Sequence, residues 1–377
     1  MKIKALVLLL VCAIFAFPLH VVARKSSKEL LLAPLHVVGS TLEDNIYIKD
    51  VFTATGLPEV LVLWLGDKDS PAKLYPPRYT LNGGNTWQVA ESYNLSYPFV
   101  GIMPRLDPQN PVRLFSLYED LGSHLHSLHR SGDWGATWSP AVGNDDIEVM
   151  DVFVSPKDPQ LMYVPWHRKC PSYPNPCEPP GGVYQSTDGG ANWTSFIDEK
   201  QWSIFPVIMP SPVTAGDGYY QVVYTTGSGS YWLRFGSSER LPFPAWEIAL
   251  DAVNAERIYG VNYNFDAGYT SSDGGHTWDT WEVPPGECSQ LIAHPTQPNT
   301  LYLRCDGGIY RSVNGGEQWS SITSIPGDAL KPNLGKPGQL LWSHSGCLWA
   351  SDDQGTTWSG VSCIFVTASN VFLPLVR

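Results

Sequence analysis

The sequence predicts an all-β chain: a seven-bladed β-propeller of four-stranded antiparallel blades. Three observations carry that expectation. One turn motif recurs six times along the chain. Its spacing is close to that of propeller blades. The composition favours turns and aromatics, with 34 Gly, 32 Pro, 15 Trp and 18 Tyr in 377 residues and only 16% charged side chains.

The motif reads Ser/Thr-x-Asp/Asn-x-Gly-x-x-Trp. It stands at 80–87 (TLNGGNTW), 131–138 (SGDWGATW), 186–193 (STDGGANW), 271–278 (SSDGGHTW), 312–319 (SVNGGEQW) and 351–358 (SDDQGTTW). Asp or Asn followed by Gly suits a tight turn that needs positive φ. The hydroxyl and the carboxylate or amide oxygen can accept bonds from turn N–H groups that have no ladder partner. The Trp supplies an apolar plate to bury between neighbouring sheets. Short strands run into the motif, as at 182–184 (GVY) and 308–310 (GIY). Strand, tight turn and a second strand opening on Trp make a hairpin.

On these residues the chain resembles the Asp-box family, also called BNR repeats. That family includes sialidases, sortilin-type receptors, xyloglucan-cleaving glycosidases and photosystem II assembly factors. The resemblance implies a propeller with the boxes on its outer rim, away from the binding face. Asn82, Asp133, Asp188, Asp273, Asn314 and Asp353 are therefore expected to be structural and not catalytic. Such folds host enzymes and pure binders alike.

Each blade is expected to run from strand A to strand D, with the box at the C–D turn. A Pro- or Asp-bearing loop before Leu/Ile-Tyr marks the A–B turn, as at 155–163 and 294–302. Blades are expected to end near Trp87, Trp138, Trp193, Trp246, Trp278, Trp319 and Trp358. Trp246 enters this set because 278 − 193 leaves 85 residues between two boxes, too many for one blade. That interval holds two strand-like runs, 219–225 (YYQVVYT) and 231–235 (YWLRF), and reads as a blade whose box has decayed. Residues 24–377 then form one domain. The apolar run 364–376 is expected to pair with residues 45–52 and close the ring, which removes exposed sheet edges.

Lys2, Lys4, the apolar run from Ala5 to about Val22, and then Ala23 read as a secretory signal over residues 1–23. An uncleaved membrane anchor is the alternative. The protein is expected to be secreted or extracytoplasmic, with no further membrane span. Six cysteines follow, and an even count in an exported chain points to disulfides. Local pairing of Cys170 with Cys177, Cys288 with Cys305, and Cys347 with Cys363 is the choice taken, against free buried thiols. No CxxC spacing suggests a metal, and no cofactor is expected. A net charge of −12 without a Lys/Arg cluster argues against a nucleic-acid partner. A monomer is expected.

The parts of a sialidase are missing. The resemblance would imply an Arg-Ile-Pro motif ahead of the first blade, and the nearest string is MPRL at 103–106. Another glycosidase would need two carboxylates about 5–10 Å apart across the sugar. The densest acidic stretch holds Asp145, Asp146, Glu148 and Asp151. It offers Asp145 and Asp146 as catalytic candidates, with a solvated loop as the plain alternative. His124, His126 and His129 invite a metal reading, but His129 aligns with the aromatic before each box and fits packing better. The long loop at 165–181 (PWHRKCPSYPNPCEPPG) stands out among short ones. Stapled by Cys170 and Cys177, it is expected to present Trp166, Arg168 and Tyr173 to a glycan or protein partner, on the face opposite the boxes. The leading expectation is an exported, non-catalytic binding or assembly module. The alternative is a glycoside hydrolase, sialidase-like or another exo-glycosidase, acting on extracellular glycans.

Overall fold

The second strand of the first blade, Leu57–Asp67, explains the architecture. Residues 60–65 (VLVLWL) are buried without interruption. Successive side chains leave a strand on opposite faces, so such a run needs an apolar partner on both sides. Val60 and Val62 pack toward Leu114 of the second blade. Leu61, Leu63 and Leu65 pack toward Leu341, Leu348 and Ala350 of the last blade. Seven such clusters exist among the described residues, one at each junction between neighbouring blades. Sheets that are apolar on both faces bury them all only by closing into a ring.

The computed structural model describes residues 36–37, 46–54, 56–69, 74–89, 105–106, 113–119, 126–133, 137–143, 147–168, 181–199, 203–204, 207–224, 230–237, 240–241, 246–262, 264–325, 327–344 and 346–363. The chain is a seven-bladed β-propeller of four-stranded antiparallel blades. Blade 1 takes Ile46–Ala54, Leu57–Asp67, Leu74–Thr80 and Gln88–Val89. Blade 2 takes Arg105–Leu106, Leu114–Glu119, His126–Ser131 and Ser139–Val142. Blade 3 opens on a broken strand, Ile147–Val149 and Phe153–Val154, followed by Met162–Arg168, Gly181–Ser186 and Thr194–Glu199. Blade 5 takes Glu247–Leu250, Ile258–Val261, Ala267–Ser271 and Asp279–Glu282. Blade 6 takes Cys288–Ala293, Leu301–Cys305, Gly308–Ser312 and Ser320–Thr323. Blade 7 takes Ala329–Pro332, Leu340–His344, Cys347–Ser351 and Ser359–Cys363.

Blade 4 is the one without a box, as the 85-residue interval implied. Its strands are Ser203–Ile204 with Ile208–Pro210, then Gly218–Tyr224 and Ser230–Arg234. A single bridge, Leu233 to Arg240, marks the fourth position. Trp246 does not close this blade, as the sequence suggested. It stands just before Glu247–Leu250 of blade 5 and is 44% exposed.

First strands of neighbouring blades approach one another and line the centre of the ring. The A–B and C–D turns share one end, here called the box end. Gly189 N donates to Gln160 O, Gly274 N to Glu256 O, and Gly315 N to Asn299 O, tying each box to the A–B turn of its own blade. The B–C turns and D–A connections form the opposite, loop end.

The box turns described throughout satisfy their own polar groups. At 271–278 the Ser271 hydroxyl donates to Asp273 Oδ1 at 2.8 Å and accepts from Gly275 N at 2.8 Å. Asp273 Oδ1 also accepts from Thr277 N at 2.9 Å. Gly274 and Gly275 hold φ of 72° and 96°, a region that favours glycine. The second box glycine also backs onto the preceding blade. A Cβ at Gly275 would strike Leu241, and one at Gly84 would strike Val361 of blade 7. The seam between blades 7 and 1 therefore uses the same contact as the other junctions.

The run 364–376, expected to close the ring, lies outside the described residues. Ile46–Ala54 hydrogen-bonds to Leu57–Asp67 as blade 1's own first strand. Each blade is built from continuous chain. The seam is held by packing and by polar links: Lys331 Nζ to Asp50 Oδ2 at 3.2 Å, Leu334 N to Thr53 Oγ1 at 3.0 Å, and Ser343 Oγ to Ile48 O at 3.3 Å. His36–Val37 adds a short parallel strand to Ser359–Cys363.

Two of the expected disulfides are present, Cys288–Cys305 and Cys347–Cys363. Both lie at the loop end, and they fit an oxidising, extracytoplasmic setting. Cys170, Cys177 and the signal over residues 1–23 lie outside the described residues. Among those described, no helix is long and apolar enough to cross a membrane.

Candidate functional site at the loop end

Three stretches that stand out in the sequence converge between blades 2 and 3. Glu148 lies in the first strand of blade 3, and its register partner is His167 in the second strand. His126 opens the third strand of blade 2. The Glu148 carboxylate sits between the two imidazoles, 3.0 Å from His126 Nδ1 and 3.1 Å from His167 Nε2. All three side chains are partly open to solvent, at 19%, 27% and 26% for His126, Glu148 and His167. The hydrogen bond from His126, then that from His167, holds the Glu148 carboxyl down at about 2, against burial, which pushes the other way.

The residues named from sequence fare unevenly. Asp145, Asp146, His124 and Tyr173 lie outside the described residues. Arg168 is partly buried at the end of its strand. Trp166 corrects the expectation of an exposed contact. It is 3% exposed and stacks on Tyr184 with centroids 5.2 Å apart. The strand Met162–Arg168 runs further than the loop reading allowed, and its apolar members turn inward. His129 is a packing residue, as expected: burial lowers its pKa, and its Nε2 contacts Ser127 Oγ at 3.2 Å. The box carboxylates serve their own turns. Among the described residues no group of three or more His, Cys, Asp or Glu is arranged to hold a metal.

A second polar cluster was missed from sequence. Glu247 opens the first strand of blade 5 and reaches across the junction, where Oε2 accepts from Leu291 N of blade 6 at 3.2 Å. Burial pushes its carboxyl up to about 7; the Leu291 bond and the charges of Arg304 and Lys331 only partly offset that. Arg304 donates from Nη1 to Gly327 O at 2.9 Å and Asp328 O at 2.6 Å, joining blade 6 to blade 7. The one sequence signal was a lone Glu in an apolar strand (WEIAL), and that does not separate a site from a surface residue.

Glu148 and Glu247 occupy the same end of innermost strands, in blades 3 and 5. One stays ionised to about pH 2, and the other keeps its proton to about pH 7.

Comparisons with known proteins bear on the choice between binder and enzyme. No protein-family model matches the chain. It is 25% identical over 335 residues to a xyloglucanase of Hypocrea jecorina, covering 75% of this chain and 35% of that protein. It is 26% identical over 278 residues to a probable oligoxyloglucan-reducing end-specific xyloglucanase of Neosartorya fischeri, covering 67% of this chain and 31% of that protein. The chain thus spans about a third of these relatives. Among solved structures it is similar to an ancestral GH74 enzyme, with a TM-score of 0.51 and 15% identity over 88% of this chain and 47% of that one, a likeness that shows the fold. These relatives overturn the leading expectation of a non-catalytic module: proteins that resemble this chain in sequence are glycoside hydrolases.

Proposed function

We propose that this protein is an exported glycoside hydrolase acting on xyloglucan or a closely similar glycan, and that its working face is the loop end. The observation that carries the reading is the likeness to xyloglucanases over 75% of the chain. Glu148 and Glu247, both at the loop-end start of innermost strands, are its candidate carboxyls, because glycosidic cleavage needs one carboxyl that gives a proton and one that bears charge. On this reading Glu247 protonates the leaving glycosidic oxygen as the C–O bond breaks. Glu148, held ionised between His126 and His167, supports the positive charge that develops at the anomeric carbon, and the attacking water passes its proton to solvent. The box turns, on their sequence and hydrogen bonds, are read as the Asp boxes of BNR repeats.

The test is release of reducing ends from xyloglucan by the purified full chain. Glu247→Gln and Glu148→Gln should each lower kcat by about 100-fold or more, the usual scale of general acid–base catalysis. A wild-type protein that releases nothing overturns the hydrolase reading. An active wild type with both variants unimpaired overturns the two assignments.

A further inference from the structure

The A–B turns of blades 3 to 7 are built alike. The residue that opens each turn is buried, and its N–H donates six residues on: Ser155 to Leu161 O, Ser211 to Asp217 O, Asp251 to Arg257 O, His294 to Thr300 O and Asn333 to Gln339 O. Its side chain folds back as an acceptor for the turn's own N–H groups. Ser155 Oγ accepts from Lys157 N and Asp158 N, and Ser211 Oγ from Val213 N and Thr214 N. Asp251 Oδ1 accepts from Val253 N and Asn254 N, and Asn333 Oδ1 from Gly335 N. Blade 6 fills this position with an imidazole. His294 Nδ1 accepts from Thr296 N at 3.1 Å and from Gln297 N at 3.0 Å.

An accepting Nδ1 leaves the ring's one proton on Nε2, which is buried without a protein partner. A second proton can enter only at Nδ1. It takes the lone pair that both N–H groups use and sets an N–H against them. Ser and Asn in the other blades have no such state.

This turn also ties two blades together. Asn299 holds a φ of 59°, a left-handed conformation that is uncommon outside glycine. Its N–H donates to Asp251 Oδ2 of blade 5 at 3.0 Å, and its Oδ1 accepts from Arg257 of blade 5. Its carbonyl accepts from Gly315 N of the blade 6 box at 2.8 Å. At the far end of the same two strands, Cys288 and Cys305 are register partners and form a disulfide.

Among the described residues, the ionisable groups brought to this end come from three blades. Asp251 and Arg257 of blade 5 bond to Asn299. Blade 6 brings Tyr302, whose ring centroid is 6.1 Å from that of His294, Arg311, which donates to Gln354 O, and the exposed Glu317. Blade 7 brings the Lys336–Asp352 pair and Asp353. None of these charges offsets burial, which lowers the His294 pKa from an ordinary 6.5. The open turn therefore takes the proton more readily than the closed one. The closed form is complete above about pH 6.5 and is lost as pH falls.

We propose that residues 294–300 form an acid-released latch: protonation of His294 at Nδ1 uncaps the turn, frees Asn299 and loosens its ties to blade 5 and to the blade 6 box, while the Cys288–Cys305 disulfide keeps the other end of the blade closed.

The test is hydrogen exchange on the full chain, read peptide by peptide by mass spectrometry and expressed as protection relative to the intrinsic rate at each pH. From about pH 7.5 to about pH 4.5, protection over 294–300 should fall about tenfold or more, the effect of one pH unit below the pKa of the closed turn. Protection over 155–161, 211–217 and 333–339, capped by Ser or Asn, should stay within about threefold. His294→Asn, the residue that blade 7 uses, should keep 294–300 protected at both pH values. His294→Ser, the residue of blades 3 and 4, serves if the first variant does not fold. No loss at 294–300, or an equal loss in all four turns, overturns the latch, and wild type alone decides this. A loss at 294–300 that persists in a folded variant overturns the role of His294.

Discussion

The two ends of the ring are built on different principles. At the box end the same solution recurs. A buried Ser hydroxyl accepts the N–H of the fifth box residue at Gly190, Gly275, Gly316 and Gly355, and the neighbouring carboxylate or amide completes the turn. At the loop end the blades differ. Blade 3 carries a carboxylate between two imidazoles, blade 5 an exposed indole beside a proton-holding carboxyl, and blades 6 and 7 a disulfide each. A turn that satisfies its own polar groups commits them to the fold. At the loop end those groups are met case by case.

The sharpest way to break this contrast is to empty a box tryptophan. Trp358 is 2% exposed and lies against Trp342 with ring centroids 5.4 Å apart, in the cluster between blades 6 and 7. Trp358→Ala should cost about 3–5 kcal/mol in a urea titration. Trp166→Ala should cost a similar amount, now that its indole is known to be buried. A loss below about 1 kcal/mol at Trp358 would mean that the box end does not carry the scaffold.

The loop end has a different staple to remove. Cys347 and Cys363 close 16 residues at the loop end of blade 7. Replacing both with Ala should lower stability by about 3 kcal/mol, the chain-entropy scale for a loop of that length. Calorimetry on the double variant measures it. An unchanged transition would show that the packing of blade 7 alone holds that end.

A single box hydrogen bond is worth less. Ser271 is 1% exposed and accepts from Gly275 N. Ser271→Ala leaves that buried N–H unpaired and should cost about 1–3 kcal/mol by equilibrium denaturation. The expected effect is confined to the box end, with xyloglucan turnover unchanged.

These two ends were not equally legible in the sequence. The box residues announced themselves because six copies of one pattern can be aligned with each other, and the missing copy located blade 4 by arithmetic. The seam between blades 7 and 1 left no such pattern, because face-to-face packing of Leu61, Leu63 and Leu65 on Leu341, Leu348 and Ala350 joins residues far apart in the chain. The two tryptophan assignments were exchanged for a similar reason. Trp166 looked exposed because a Pro- and Cys-rich loop follows it, yet it is still inside a strand whose side chains turn toward the core. Trp246 looked like a box peg by its place in the count, yet it leads into the next blade. Glu148 gains its meaning from His126 of another blade, and Glu247 from Leu291 of another. Pairing across blades leaves no local trace in the chain.

The smallest expected effect separates the two glutamates by sign. Glu148 is depressed from an ordinary 4.5 to about 2, so the unfolded chain binds more protons between those values. The stability it contributes is complete above about pH 4.5 and is lost as pH falls toward 2. Glu247 is raised from 4.5 to about 7, so here the folded protein binds more protons. Its contribution is complete below about pH 4.5 and is lost as pH rises through 7. Both side chains keep some solvent contact, and screening reduces each effect to the order of 1 kcal/mol. Melting temperatures measured from pH 3 to pH 9 should therefore show opposite changes. Glu148→Gln should flatten the acid limb of the stability curve and leave the alkaline side alone. Glu247→Gln should remove the decline between about pH 4.5 and 7, so that the variant gains on wild type at pH 8. If both variants shifted the same limb, the two carboxyls would share one environment, and the assignment of one as donor and the other as charge would lose its physical basis.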